Sequence, residues 1–109
     1  MERKTRNVEH KKLQAISSNY HYALKRLSEF EHVEHMTKSQ IEIRQIYHHF
    51  IETVTKCIFR FNPLERSVLD HEYFAPISKL WWVNTYSRST YYRIRLNIAR
   101  RFIEYMELA

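Results

Sequence analysis

The chain has 109 residues and not one of them is glycine. Tight type I′ and II′ hairpin turns lean on glycine for positive φ, so a fold rich in β-hairpins is not expected. A glycine-rich phosphate loop is excluded outright. Proline occurs twice, at Pro63 and Pro76, which leaves long stretches free to be helical. Cys57 is the single cysteine, so no disulfide framework forms within one chain, as expected of a reducing, cytoplasmic setting. No apolar run approaches the roughly 18 residues of a membrane span. The opening Met1-Glu2-Arg3-Lys4 lacks the apolar stretch of a signal peptide. One further absence is local. Between Glu72 and Glu104 there is no acidic residue, and that window holds Lys79, Arg88, Arg93, Arg95, Arg100 and Arg101. The remaining twelve cations are matched by twelve acids, so the whole net charge of +6 belongs to the C-terminal third. A positive field on a neutral body is the footprint of a nucleic-acid binder.

What fills the chain suits helices, and the expected fold class is all-α, as one domain or a small domain with an extension. Leu13, Ile16, Tyr20, Ala23, Leu27 and Phe30 are spaced 3, 4, 3, 4, 3, a heptad seam on a helix over about residues 8–35. Ser39-Gln40-Ile41-Glu42 reads as a capping box that opens a second helix, reaching Phe61. Its stripe is Ile43, Tyr47, Phe50, Val54, Ile58 and Phe61. Two stripes joined by a short connection make a long N-terminal helical hairpin over 1–61. The same seam equally suits a second copy of the chain, as a homodimer.

The C-terminal region, 62–109, starts with Asn62 as a helix cap, Pro63 in the first helical position and Glu65 in the first turn. Leu64, Val68 and Leu69 are its expected buried residues, followed by Tyr73 and Phe74. A short helix is expected over 77–83, with Ile77, Leu80 and Trp81 inward and Trp82 at the edge. Asn84-Thr85-Tyr86 makes a turn and Ser87 caps a last helix running to about Met106. Tyr91, Ile94, Ile98, Phe102 and Tyr105 form its inward stripe. Arg88, Ser89, Tyr92 and Arg93 fall on another face. A helix that docks on its own domain while presenting polar groups outward has the requirements of a recognition helix in a DNA major groove.

On this reading Arg93 is the foremost base reader, since arginine bonds guanine O6 and N7 together. Arg88 and Ser89 follow at the helix start. Tyr92 suits a phosphate or a thymine methyl. Ser87 and Thr90, with the helix N-terminus behind them, suit a phosphate oxygen. Lys79, Arg95, Arg100 and Arg101 supply attraction to the DNA backbone. The histidines His10, His21, His32, His35, His48, His49 and His71 follow no zinc-ligand spacing, and the lone cysteine does not complete one. No metal, cofactor or enzymatic constellation is expected.

Residues from about Asn62 to Phe102 resemble the fourth region of bacterial sigma factors, in which a helix like Pro63-Leu64-Glu65-Arg66-Ser67-Val68-Leu69 precedes a helix-turn-helix. The run Tyr86-Ser87-Arg88-Ser89-Thr90-Tyr91-Tyr92-Arg93-Ile94, with Ala99 and Phe102 after it, looks more like the ArpU-type regulators of phages and prophages in Gram-positive bacteria. The resemblance covers about forty residues. It implies a sigma-like helix-turn-helix, binding of double-stranded DNA near promoters, and a possible contact with RNA polymerase. The alternative is a helical interaction module, a polymerase adaptor or a small phage packaging component, that does not bind DNA.

Overall fold

The structure is a computed structural model that describes residues 2–76 and 78–109, with side chains from Val8 onward. It is all-α. Helix α1 spans Glu2–Phe30, α2 Lys38–Ile58, α3 Pro63–Leu69 and α4 Arg88–Leu108. A wide π-helical turn, Asp70–Phe74, continues α3. Among the described residues there is no strand, and no helix is long and apolar enough to cross a membrane.

Helices α1 and α2 form the expected hairpin, with boundaries that differ from the sequence reading. Helix α1 stops at Phe30 rather than near residue 35. There His32 N–H turns to Glu29 O and Val33 N–H to Phe30 O, three-residue bonds that tighten and end a helix. The cap of α2 is Thr37, not Ser39. The Thr37 hydroxyl accepts from Gln40 N–H, and the Gln40 side chain accepts from Thr37 N–H. Thr37-x-x-Gln40 satisfies the same capping rule as Ser39-x-x-Glu42, and starting two residues earlier adds helical hydrogen bonds. Helix α2 ends at Ile58, three residues short of Phe61, which leaves the helix and enters the core.

Helix α3 opens as expected, with reciprocal Asn62–Glu65 capping bonds and Pro63 in the first turn. Val68 and Leu69 are buried, but Leu64 is exposed. The π-helical turn, closed by Ala75 N–H on Asp70 O at 2.6 Å, widens the helix by one residue. That extra residue rotates Tyr73 and Phe74 into the core.

The expected helix over 77–83 does not form. Ile77 lies outside the described residues, and 79–85 is a succession of turns closed by Val83 N–H on Leu80 O and by Thr85 and Tyr86 N–H on Trp82 O. The tryptophans reverse their expected roles. Trp82 is buried face to face on Tyr91, with ring centroids 4.5 Å apart, while Leu80 is 65% exposed. Trp81 is half-buried and stacks on His71. Stacking on aromatic partners outweighs the i, i+3, i+4 spacing that suggested a helix.

One core joins the 1–61 and 62–109 regions. Leu13 of α1, Val54 and Cys57 of α2, Val68 and Leu69 of α3, Tyr73 and Phe74 of the π turn, and Tyr91, Ile98, Ala99 and Phe102 of α4 pack in one cluster. Helix α4 lies along the hairpin and runs antiparallel to α2, since Phe102 meets Phe61 and Met106 meets Cys57. Ser17 Oγ donates to Tyr73 O, and His21 Nε2 lies 2.8 Å from Phe74 O, so the π turn is tied to α1 through its backbone.

Phe102 is fully buried between Phe61 and Phe74. Phe102→Ala is expected to cost about 3–5 kcal/mol of stability in urea unfolding, a large part of what a small domain has.

The Tyr73 hydroxyl and His10 Nδ1 share a hydrogen bond of 2.7 Å. Burial, helped by the nearby Arg95 charge, holds His10 below its ordinary value of 6.5. The unfolded chain therefore binds a proton before the folded one does as pH falls beneath 6.5, and stability declines there. His10→Gln is expected to remove that part of the decline, read as the wild-type minus variant difference in unfolding free energy between pH 7.5 and about 5.

Candidate nucleic-acid interface

Helix α4 begins where the sequence places it. Ser87 has extended backbone, and its side chain accepts from Thr90 N–H at 3.3 Å. The Ser87 hydroxyl in turn donates to Thr90 Oγ1 at 2.8 Å. Its proton is therefore spent within the cap, and Thr90's own hydroxyl proton remains for an outside acceptor. No acidic residue sits in the first turn, so the partial positive charge of the N-terminus is uncompensated there.

The inward stripe docks as expected, with Tyr91, Ile98 and Phe102 buried and Ile94 and Tyr105 packed at the margin. On the other face Arg88, Ser89 and Arg93 are exposed, and neither arginine makes an ion pair among the described residues. Tyr92 is 39% exposed, edge-on to Trp82, with the guanidinium carbons of Arg95 and Arg88 over its ring at 4.5 and 5.8 Å. The ring holds both charges near the start of the helix. Arg93 borders a shallow groove between the first turn of α3 and α4, beside Asn62, Leu64 and Asn97.

The four cations expected to attract a phosphate backbone divide. Lys79 is exposed and makes no ion pair among the described residues. It lines an open hollow of about 500 Å³ with Trp82, Tyr92, Arg95 and Glu72. Arg95 is engaged, donating to Glu72 at 2.9 Å, with both side chains largely buried. Glu72 also accepts from the Tyr91 hydroxyl at 2.6 Å, and Tyr91 accepts from Trp81 Nε1. Burial and the adjacent carboxylate push the Tyr91 hydroxyl far up, so it stays a donor. Arg101 is bound to Glu65. Burial alone would raise the Glu65 carboxyl, but Arg101 and the Asn62 N–H hold it below the usual range. Arg100 faces Glu9 at 3.9 Å and is half exposed, a loose pair.

The acid-free window of the sequence is thus partly neutralised in space. Glu72, Glu65 and Glu9 come from the π turn, α3 and α1. Their role was missed because linear charge counting carries no signal of which distant acids a fold brings near. The cations left available cluster at one end of α4, namely Arg88, Arg93 and Lys79, with Arg100 loosely held.

Glu72 joins the π turn to α4 through two charged or near-charged hydrogen bonds. Glu72→Ala is expected to cost about 1–3 kcal/mol, because it strands the Arg95 guanidinium and the Tyr91 hydroxyl. Denaturant unfolding of the variant beside Arg95→Ala and the double variant measures the coupling.

Compared with protein-family models, with curated proteins and with solved structures, the chain finds no match in any of the three.

Proposed function

We propose that this chain is a sequence-specific double-stranded DNA-binding transcriptional regulator, seating the first turns of α4 in the major groove. The observation that carries this reading is the start of α4. Arg88, Ser89 and Arg93 are exposed in the first two turns of a capped helix, without acidic partners among the described residues, and Lys79 lines the hollow next to Tyr92 and Arg95. Arg93 reads guanine, Arg88 and Ser89 contact neighbouring base edges or phosphates, and Thr90 donates to a phosphate. Tyr92 lies along the groove wall. Lys79 and Arg100 attract the backbone, whereas Arg95 and Arg101 chiefly hold α4 in place. A cytoplasmic setting goes with this role. The ArpU-like and sigma-like resemblance of residues 62–102 supplies the phage or prophage context and the contact with RNA polymerase.

A second reading has its own support. With Arg95 and Arg101 committed to ion pairs, α4 also serves as a structural helix, and the chain then acts as a protein-interaction module in a polymerase adaptor or a packaging assembly.

Binding to a pool of duplex DNA across a salt series separates the two. Lys79 and Arg100, with Arg88 where it meets a phosphate, imply a slope of log affinity against log salt of roughly −2 to −3 per chain, at about −0.9 per phosphate contact. Arg93→Ala is expected to abolish selection among sequences while keeping weak, salt-sensitive binding. Arg101→Ala is expected to leave the slope unchanged. Binding that does not vary with salt, or no binding at all, would reject the DNA reading and favour the interaction module.

A further inference from the structure

We propose that the far half of the α1–α2 hairpin is a self-association surface, on which a second copy docks antiparallel with Ile46 at the two-fold axis. One face of α2 carries Ile43, Ile46, Phe50, Val54 and Cys57. Helix α4 covers only its second half, because its last turn reaches Cys57 through Met106. Beyond that point Ile46 is 65% exposed and Ile43 38% exposed, and Leu24 across the hairpin is 42% exposed. A continuous stripe that is core at one end and bare at the other is unlike singly scattered surface apolars. Two helices alone bury one face of each other, and a further layer completes the bundle.

Two observations make the occupant another copy. Between residues 21 and 50 there are four cations and four acids, so this half is neutral while the net charge sits at the α4 end. Two copies carrying +6 each repel least when they meet at their neutral halves. The second observation is one of register. At about 100° per residue, exposed Glu42 and His49 lie on the same edge of the strip centred on Ile46, on opposite sides of it along the axis. A two-fold axis through Ile46 therefore sets Glu42 beside His49 of the second copy, and His49 beside Glu42 of the second copy. Each imidazole N–H donates to a carboxylate at the rim of an isoleucine-centred contact. A parallel arrangement would carry Glu42 and His49 of the second copy to the opposite rim and leave both without this pairing. In the antiparallel one the two α4 N-termini point to opposite ends, so self-association and the α4 face do not compete for surface. The inference stands whether or not α4 binds DNA.

Sedimentation velocity of the full chain tests it. Wild type is expected to reach the mass of two copies by about 100 µM, as suits a contact of modest area. Ile46→Glu is expected to weaken association about tenfold or more with an unchanged helical circular-dichroism spectrum. Glu42→Lys is expected to weaken it, and Glu42→Lys combined with His49→Glu to restore it. A monomeric wild type, an assembly other than a dimer, or a dimer indifferent to Ile46→Glu overturns the proposal. So does a double variant no tighter than Glu42→Lys alone, since it contradicts the antiparallel register.

Discussion

The structure depends on burying one stripe of α4, Tyr91, Ile98, Ala99 and Phe102, against three other elements at once. Without a disulfide, apolar contact, with the Ser17 and His21 hydrogen bonds to the π turn, holds the C-terminal half to the hairpin. The demand reaches outward from there. The π turn exists where α3 must aim both Tyr73 and Phe74 at that stripe, and widening the helix rotates them together. The turns after Pro76 do not repeat as a helix, because Trp82 gains more by lying flat on Tyr91 than by keeping helical spacing. Even the capping of α4 serves the docking, since Ser87 fixes where the stripe begins.

Charge follows the same geometry. Three acids from three elements reach α4, and each meets an arginine on the flank or far half of the helix rather than at its start. Among the described residues the ion pair most sheltered from water, Arg95–Glu72, also holds the Tyr91 hydroxyl, so it orients a buried ring as well as compensating a charge. The looser pairs lie toward solvent and contribute little to stability. What stays available is gathered in a small region at the helix start. That is a more specific arrangement than the diffuse basic third that the sequence suggests.

Local rules made much of this legible. Asn62-Pro63-x-Glu65 and Ser87 mark their helix starts correctly because capping depends on neighbours three residues away. The seam from Leu13 to Phe30 and the stripe from Tyr91 to Tyr105 are legible because a 3.6-residue period survives any tertiary detail. The misreadings share a cause, which is competition decided at long range. Thr37 and Ser39 are equally valid caps locally. Leu80 and Trp82 exchange places through a contact with Tyr91, nine residues on in the next helix. Leu64 looks like core by type, yet sits in a first turn that faces water. In the candidate interface, the exposure of Arg88, Ser89 and Arg93 follows from helix phase, whereas the capture of Arg95 and Arg101 needed Glu72 and Glu65 to be near, which no local pattern encodes.

Helix α4 is one unbroken rod of 21 residues, without proline or glycine to bend it. Its first two turns carry Arg88 and Arg93, and its last turn rests on Cys57, one turn from where the core face of α2 ends at Val54. Such a rod behaves as a lever. At 1.5 Å per residue it is about 30 Å long, so a tilt of roughly 5° at the Cys57 seat moves Arg88 by ~2.5 Å. That is close to a hydrogen bond's length. By length alone, the precision with which Met106 seats on Cys57 bears on where Arg88 lies.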